Sequence, residues 1–320
     1  MSNPNRRNFL GQITTLGLVP LIRNSSIEAE HDKNFKGKNK IGFNLLLWSA
    51  VVSEKMKPIA SKLKEIGYDG IEVATAEESS QPYVDLGKFV KDVGLEISMV
   101  LAVGKDTDPI NESQAIRDKG LEKIKWAIDR ANDLGAKVIC GPFHSAFANF
   151  RKRPPNDDEF KWSAEVLHKA GDYAAQSNII LAPEAINRFE CYLCNTIDQL
   201  NRLVKLTDHQ NVKPMFDTHH ANIEEKNYTN AIKTLHGQLA HVHISENDRG
   251  TPGNGHVNFD NIFSSLAAIN YKGWLTVEAF SRNDVNFANS INVWREYNKP
   301  WDIATNGIAH IKKMQQKYHL

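Results

Sequence analysis

Three cysteines in 320 residues are too few to staple a fold together, so a disulfide scaffold is excluded. Cys191 and Cys194 form a C-x-x-C, but no second pair completes a zinc site. They read as two thiols on a loop or at a helix start, and a local disulfide becomes possible if the protein is exported. Charge of one sign is lacking too. Lys and Arg number 39 against 38 Asp and Glu, a net charge of +1, so bulk electrostatics favours neither nucleic acid nor an acidic membrane. No apolar run is long enough for a stable membrane anchor. Neither G-x-G-x-x-G nor G-x-x-x-x-G-K-[ST] opens an early helix, which removes the usual phosphate-cradling motifs. With 41% hydrophobic and 24% charged residues, the composition is that of an ordinary globular protein.

The first 39 residues read as separate from the fold. Arg6-Arg7-Asn8-Phe9-Leu10 precedes a modestly apolar stretch from Ile13 to Ile22, the order of a twin-arginine export signal. Residues 23–39 are polar and read as a linker. The expectation is a protein delivered by the Tat machinery to the periplasm, with its catalytic domain in residues 40–320.

From Lys40 onward strand and helix signals alternate. Apolar runs at Ile41–Leu47, Gly70–Val73, Leu95–Val103 and Lys137–Phe143 read as strands. Four more end at Glu184, Asp217, His243 and Glu278. Helical spacing lies between them, and Gly67, Gly94 and Gly135 close the first three helices as left-handed caps. Eight strand–helix units fit a (β/α)8 TIM barrel. A doubly wound open sheet is the runner-up, weakened by the missing glycine fingerprint. The segment Asn283–Pro300 lacks a period and reads as a long loop over the active site.

In a barrel the chemistry sits at the C-terminal ends of the strands. Glu184, Asp217, His243 and Glu278 then share one rim, at spacings of 33, 26 and 35 residues (184 to 217, 217 to 243, 243 to 278). One strand-end acid ordinarily caps a helix or pairs with a base. Three carboxylates and one imidazole on four successive strand ends instead suit a divalent ion, with Mn²⁺, Co²⁺ or Mg²⁺ preferred over structural zinc. His241 shares a face with His243 one layer deeper, where it is either packed or a support for the site. His219 reads as structural. Trp48 is a wall of the site or a packed aromatic, and Glu72, at the end of the second strand, is a candidate polar contact.

The blocks Glu184-x-x-Asn187-Arg188-Phe189-Glu190, Asp217-Thr218-His219-His220, His241-x-His243-x-x-Glu246-x-x-Arg249 and Glu278-Ala279-Phe280 carry a resemblance. In this order they are similar to those of the ketose 3-epimerases of the D-tagatose/D-psicose type, within the sugar isomerase/epimerase barrel superfamily. The resemblance implies that Glu184, Asp217, His243 and Glu278 hold one Mn²⁺ or Co²⁺ ion. It further implies that Glu184 and Glu278 act as an acid/base pair, and that Glu190, His220 and Arg249 hold the O1–O3 end of a sugar. Relatives of this type are commonly dimers or tetramers, so a homo-oligomer is expected. After His144-Ser145 the family usually carries a Trp, where this chain has Phe147.

Together with this rim, the resemblance implies a metal-dependent carbohydrate epimerase that inverts a carbon next to a ketone. Alternatives are an aldose–ketose or hydroxypyruvate-type isomerase, an enzyme of 3-keto sugars or glycosides, and a non-catalytic sugar-binding barrel. A metal-dependent repair nuclease would need further His and Asp ligands and a basic groove.

Overall fold

The structure is a computed structural model that describes residues 37, 39–76 and 79–320. The proposed export signal lies outside the described residues, as does most of the linker.

Among the described residues there are eight parallel strands and ten α-helices. The strands are β1 (Ile41–Asn44), β2 (Gly70–Ala74), β3 (Glu96–Val100), β4 (Val138–Gly141), β5 (Ile180–Pro183), β6 (Met215–Asp217), β7 (His241–Ile244) and β8 (Trp274–Val277). The helices are α1 (Met56–Ile66), α2 (Gln81–Asp92), α3 (Gln114–Leu134), α4 (Asp157–Ala175), α5 (Ile197–Thr207), α6 (Thr218–Glu224), α7 (Tyr228–Thr234), α8 (Phe259–Ala268), α9 (Val285–Ser290) and α10 (Pro300–Tyr318). The strand order is β5-β4-β3-β2-β1-β8-β7-β6. A single bridge between Leu181 and Val212 closes the ring: Leu181 N–H donates to Asn211 O at 2.8 Å and Lys213 N–H to Leu181 O at 2.9 Å. Pro183, at the next rung on the β5 side, has no N–H to extend that ladder, while Pro214 O turns to β7 and accepts from Ala240 N–H at 2.9 Å.

Each helix forms for local reasons and docks through one face. In α5 the buried Ile197, Leu200, Leu203, Val204 and Thr207 recur at helical spacing. Thr196 and Gln199 close its start as a capping box, each bonding the other's backbone N–H. Gly67 and Gly135, both at positive φ, end α1 and α3, and Asp208 and His319 take the left-handed position after α5 and α10.

Period-two alternation divides each strand between two environments. Phe43, Ile71, Val73, Ile139, Leu181, Phe216, Val242, Leu275 and Val277 join the core shared with the helices. Each such side chain, fully buried, contributes roughly 1.5–3 kcal/mol. The alternate positions fill the barrel. A small apolar cluster of Cys140, Ala182 and Met215 occupies one side, while Asn44, Glu72, Ser98, His241 and His243 are buried polar groups. At Gly42 any side chain would meet Thr276 Oγ1 at 2.7 Å, so the interior admits none there.

Two short helices shape the mouth of the barrel, and the second stands where the sequence reads as a loop. Asp217 ends β6 and at once caps α6, so His219 and His220 are helical and do not continue a strand. Within the loop Asn283–Pro300 lies α9, whose six residues are too few to carry a periodic signal. Asp284 caps it by accepting from Phe287 N–H and also accepts from Ala50 N–H at 3.2 Å, which ties this roof to the loop after β1.

Candidate active site

The four strand-end residues converge. His243 Nδ1 lies 3.4 Å from Glu278 Oε1, 3.6 Å from Asp217 Oδ2 and 3.9 Å from Glu184 Oε1. All four side chains are at most 7% exposed. Their positions follow from the ends of the strands. Asp217 is held because its Oδ1 accepts from His220 N–H at 2.9 Å, leaving Oδ2 to face the imidazole. Thr218 Oγ1 donates to Ser245 O at 2.6 Å and accepts from Ser245 N–H at 2.7 Å, locking the ends of β6 and β7 together. Ser245 Oγ donates to the backbone oxygen of Glu278 at 2.8 Å.

Two buried atoms at the centre, His243 Nδ1 and Glu184 Oε1, have no hydrogen-bond partner among the described residues. A buried polar atom left unpaired is costly, so both are built to meet something the chain does not supply. Ligand atoms about 2.1 Å from a divalent ion stand ~3.0–3.4 Å apart in octahedral or tetrahedral coordination, close to the spacing here. Glu184, Asp217 and His243 form one candidate metal cluster by proximity. Glu72, Cys140, His241 and His243 form a second, one layer deeper.

The electrostatics point the same way. Burial, reinforced by the neighbouring Asp217 and Glu278, pushes the Glu184 carboxyl well above its ordinary range, although His243 opposes this. Burial also disfavours the Asp217 carboxylate, but Arg249, His220 and His243 overcome it and hold its pKa well below normal. Burial works against an imidazolium at His243 as well, and the surrounding Glu278 and Glu72 carboxylates win, raising it well above the usual value. The protein alone leaves this cluster short of positive charge, as a cation site must be.

Glu190, His220 and Arg249 are brought to the same place. They line a cavity of about 230 Å³ together with Glu184 and Glu278, and its outer wall is apolar, including Phe147, Phe280, Phe287 and Ile291. Asn187 Nδ2 donates to Glu190 Oε1 at 2.9 Å, and Asn187 N–H donates to His220 Nδ1 at 3.1 Å. Burial keeps His220 well below its ordinary pKa, with Arg249 adding to the effect. Arg249 adopts φ 62° and lies over the Phe280 ring, 4.8 Å from its centroid. Its Nη1 donates to Glu278 Oε2 at 2.6 Å, Ser245 Oγ at 2.8 Å and Asp217 Oδ2 at 3.3 Å, and its Nη2 stands 2.8 Å from His220 Nε2.

The remaining sequence candidates separate clearly. Trp48 packs against Phe43 and Trp301, and the cavity wall near it is Leu46. His144 Nε2 lies 2.8 Å from the backbone oxygen of Glu184 and so supports that strand end. Cys191 and Cys194 are free buried thiols, Cys191 Sγ lying 3.3 Å from Ser145 Oγ. His219 Nδ1 faces Glu246 O at 3.0 Å, and burial, then Arg249, lowers its pKa to about 4. Glu72 is not on the rim: β2 runs on to Ala74, so Glu72 sits inside the barrel, fully buried. The sequence did carry a signal for it, since Asn44, Glu72 and Ser98 are polar residues inside otherwise apolar strands and are adjacent in register.

Fold and site together define a (β/α)8-barrel enzyme with a carboxylate–imidazole centre at the C-terminal mouth. The chain belongs to the xylose isomerase-like TIM barrel family, whose sequence profile its residues 60–313 match. It is 29% identical over 259 residues to an L-ribulose 3-epimerase of Mesorhizobium japonicum, covering 80% of this chain and 87% of the relative. It is 30% identical over 269 residues to a D-psicose 3-epimerase of Agrobacterium fabrum, covering 83% of this chain and 93% of the relative. A solved L-ribulose 3-epimerase structure superposes with a TM-score of 0.83 at 28% identity, over 88% of this chain and 96% of that one. The chain is therefore an enzyme of the isomerase class, of the epimerase kind. No helix among the described residues is long and apolar enough to cross a membrane.

Proposed function

We propose that this protein is a metal-dependent ketose 3-epimerase, or an epimerase of a closely similar keto sugar. One observation carries the reading: His243 Nδ1 and Glu184 Oε1, both buried and unpaired, face Asp217 and Glu278 across a gap of ion size. Glu184, Asp217, His243 and Glu278 hold one divalent ion, with Mn²⁺ or Co²⁺ favoured over Mg²⁺ by the imidazole. When bound, the ion supplies a Lewis acid that stabilises negative charge developing on the sugar oxygens beside the reacting carbon.

The chain's own residues do the rest. Glu184 and Glu278 immediately follow β5 and β8, the strands that bracket β6 and β7. One carboxylate takes the proton α to the ketone, and the other returns a proton to the opposite face of the enediolate, with roles exchanged in the reverse direction. Arg249 stays cationic and offsets the negative charge of the intermediate. Glu190 and His220 hold the O1–O3 end of the sugar at the polar side of the cavity. Phe147, Phe280, Phe287 and Ile291 cover the other end and exclude water.

The amino-terminal Arg6-Arg7-x-Phe9-Leu10 supports export through the Tat machinery to the periplasm. A homo-oligomer is proposed on the motif resemblance alone. A panel of ketoses and keto-glycosides, incubated with Mn²⁺ or Co²⁺ in D₂O and followed by NMR, tests the reaction. Inversion with deuterium at the carbon next to the ketone supports it, while aldose products from ketoses would make the enzyme an isomerase instead.

A further inference from the structure

Beneath the rim, one carboxylate gathers contacts from four other strands. Glu72 is fully buried. Its Oε1 lies 2.8 Å from His243 Nε2 and accepts from Asn44 Nδ2 at 2.9 Å. Its Oε2 accepts from Ser98 Oγ at 2.8 Å and from the Cys140 thiol at 3.2 Å, and lies 3.0 Å from His241 Nε2. Asn44 continues the chain of contacts, donating also to Glu278 Oε1 at 3.2 Å.

We propose that Glu72 is the positioning residue of the metal centre: it holds His243 with the proton on Nε2, so that Nδ1 is the ligand atom. The inference rests on the metal-dependent reading above. The physical reason is the shape of the imidazole. Its two nitrogens point in nearly opposite directions, and an acceptor on one fixes both the tautomer and the orientation of the other. His243 Nε2 faces the Glu72 oxygen, and Nδ1 therefore faces the three carboxylates of the rim. A carboxylate in this place also makes the ring a stronger ligand, because its negative charge favours electron donation through Nδ1. Ser98, Asn44 and Cys140 saturate the remaining acceptor sites of Glu72, so the carboxylate cannot turn away from His243. The same group reaches Glu278 through Asn44, placing an imidazole ligand and a carboxylate ligand on one buried support.

The test is metal affinity, measured by calorimetry with Mn²⁺ on the full chain, with far-UV circular dichroism to confirm the fold. Glu72→Gln keeps an acceptor and removes the charge, and Glu72→Ala removes both. Losses in affinity of about 10-fold and about 100-fold respectively are expected, the range for supports of metal-ligating histidines. Ser98→Ala leaves the Oε1–His243 contact intact, and a loss under about 3-fold is expected, roughly what one of several hydrogen bonds to a held group contributes. Unchanged Mn²⁺ affinity in folded Glu72→Gln and Glu72→Ala would overturn the proposal and leave metal dependence standing. Absence of any tight Mn²⁺ binding by the wild type would instead remove the metal-dependent reading, and this inference with it. Two-bond ¹⁵N–¹H spectra of the Zn²⁺-loaded wild type give a check that needs no variant. A proton on His243 Nε2 supports the assignment, and a proton on Nδ1 contradicts it. Two ions per wild-type chain, one of them lost in Cys140→Ser, would make Glu72, Cys140 and His241 ligands in their own right and overturn the positioning role.

Discussion

Arg249 donates to Glu278 Oε2 across 2.6 Å, within the cluster proposed to bind the ion. The same nitrogen reaches Asp217 Oδ2 at 3.3 Å, so one guanidinium offsets the charge of two carboxylates that also face His243. Arg249 therefore competes with a cation for those oxygens and does not assist its binding. Arg249→Ala should keep or tighten Mn²⁺ binding while lowering kcat about 10²–10³-fold, the usual cost of removing a charge-stabilising donor. Calorimetry beside steady-state kinetics separates the two effects. Loss of the ion with turnover retained would contradict the assignment.

Asp217, like His243, belongs to the cluster but takes no part in proton transfer. Asp217→Ala should reduce metal content and activity in parallel, measurable by elemental analysis of the purified variant. It also deletes the cap of α6 and should cost about 1 kcal/mol in stability through that route alone. Full activity of the wild type after chelation would count against the whole scheme.

The two glutamates provide the sharpest kinetic test. Glu184→Gln and Glu278→Gln preserve size but remove a proton acceptor, and each should slow turnover about 10²–10⁴-fold. With both carboxylates present, solvent deuterium should enter at the inverted carbon. Deuterium confined to an adjacent carbon, or a Glu184→Gln variant with wild-type turnover, would rule out the two-carboxylate mechanism.

Glu159 governs acid stability away from the site. It is fully buried, accepts from Asn156 N–H as part of the α4 cap, and meets Arg151 at 2.9 Å and Arg153 at 3.0 Å. Burial disfavours its charge, but Arg153, the Asn156 backbone and Arg151 outweigh that and lower its pKa. A folded pKa below the unfolded value gives stability that is complete above about pH 5 and fades as pH falls through the folded value. Glu159→Gln should destabilise the protein by about 1 kcal/mol at pH 7, since Arg153 is 41% exposed and solvent screens much of the pairing. The deficit should shrink below about pH 4, as urea melts at several pH values would show. A deficit that does not change with pH would mean that packing, not charge, dominates there.

Export is testable without the enzyme's substrate. A reporter fused after residue 40 should reach the periplasm of a bacterial host, and the double change Arg6→Lys with Arg7→Lys should retain it in the cytoplasm. Cytoplasmic retention of the unmodified fusion would reject the signal.

The sequence by itself determined the barrel. Its eight apolar runs alternate with helical spacing, and Gly67 and Gly135 stop the first and third helices, because these are local preferences of backbone and burial. It also placed Glu184, Asp217, His243 and Glu278 on one rim, since in a parallel barrel every strand ends on the same side. Tertiary structure alone decided how they meet. Which nitrogen of His243 faces the carboxylates depends on Glu72, 171 residues away in sequence. That Arg249 binds Glu278 and Asp217 depends on a turn at positive φ, which no propensity of arginine predicts. Glu72 was legible only as a polar residue in an apolar strand. A one-residue difference in where a strand ends separates a rim contact from a buried support, and strand ends are set by cross-strand pairing, not by local sequence.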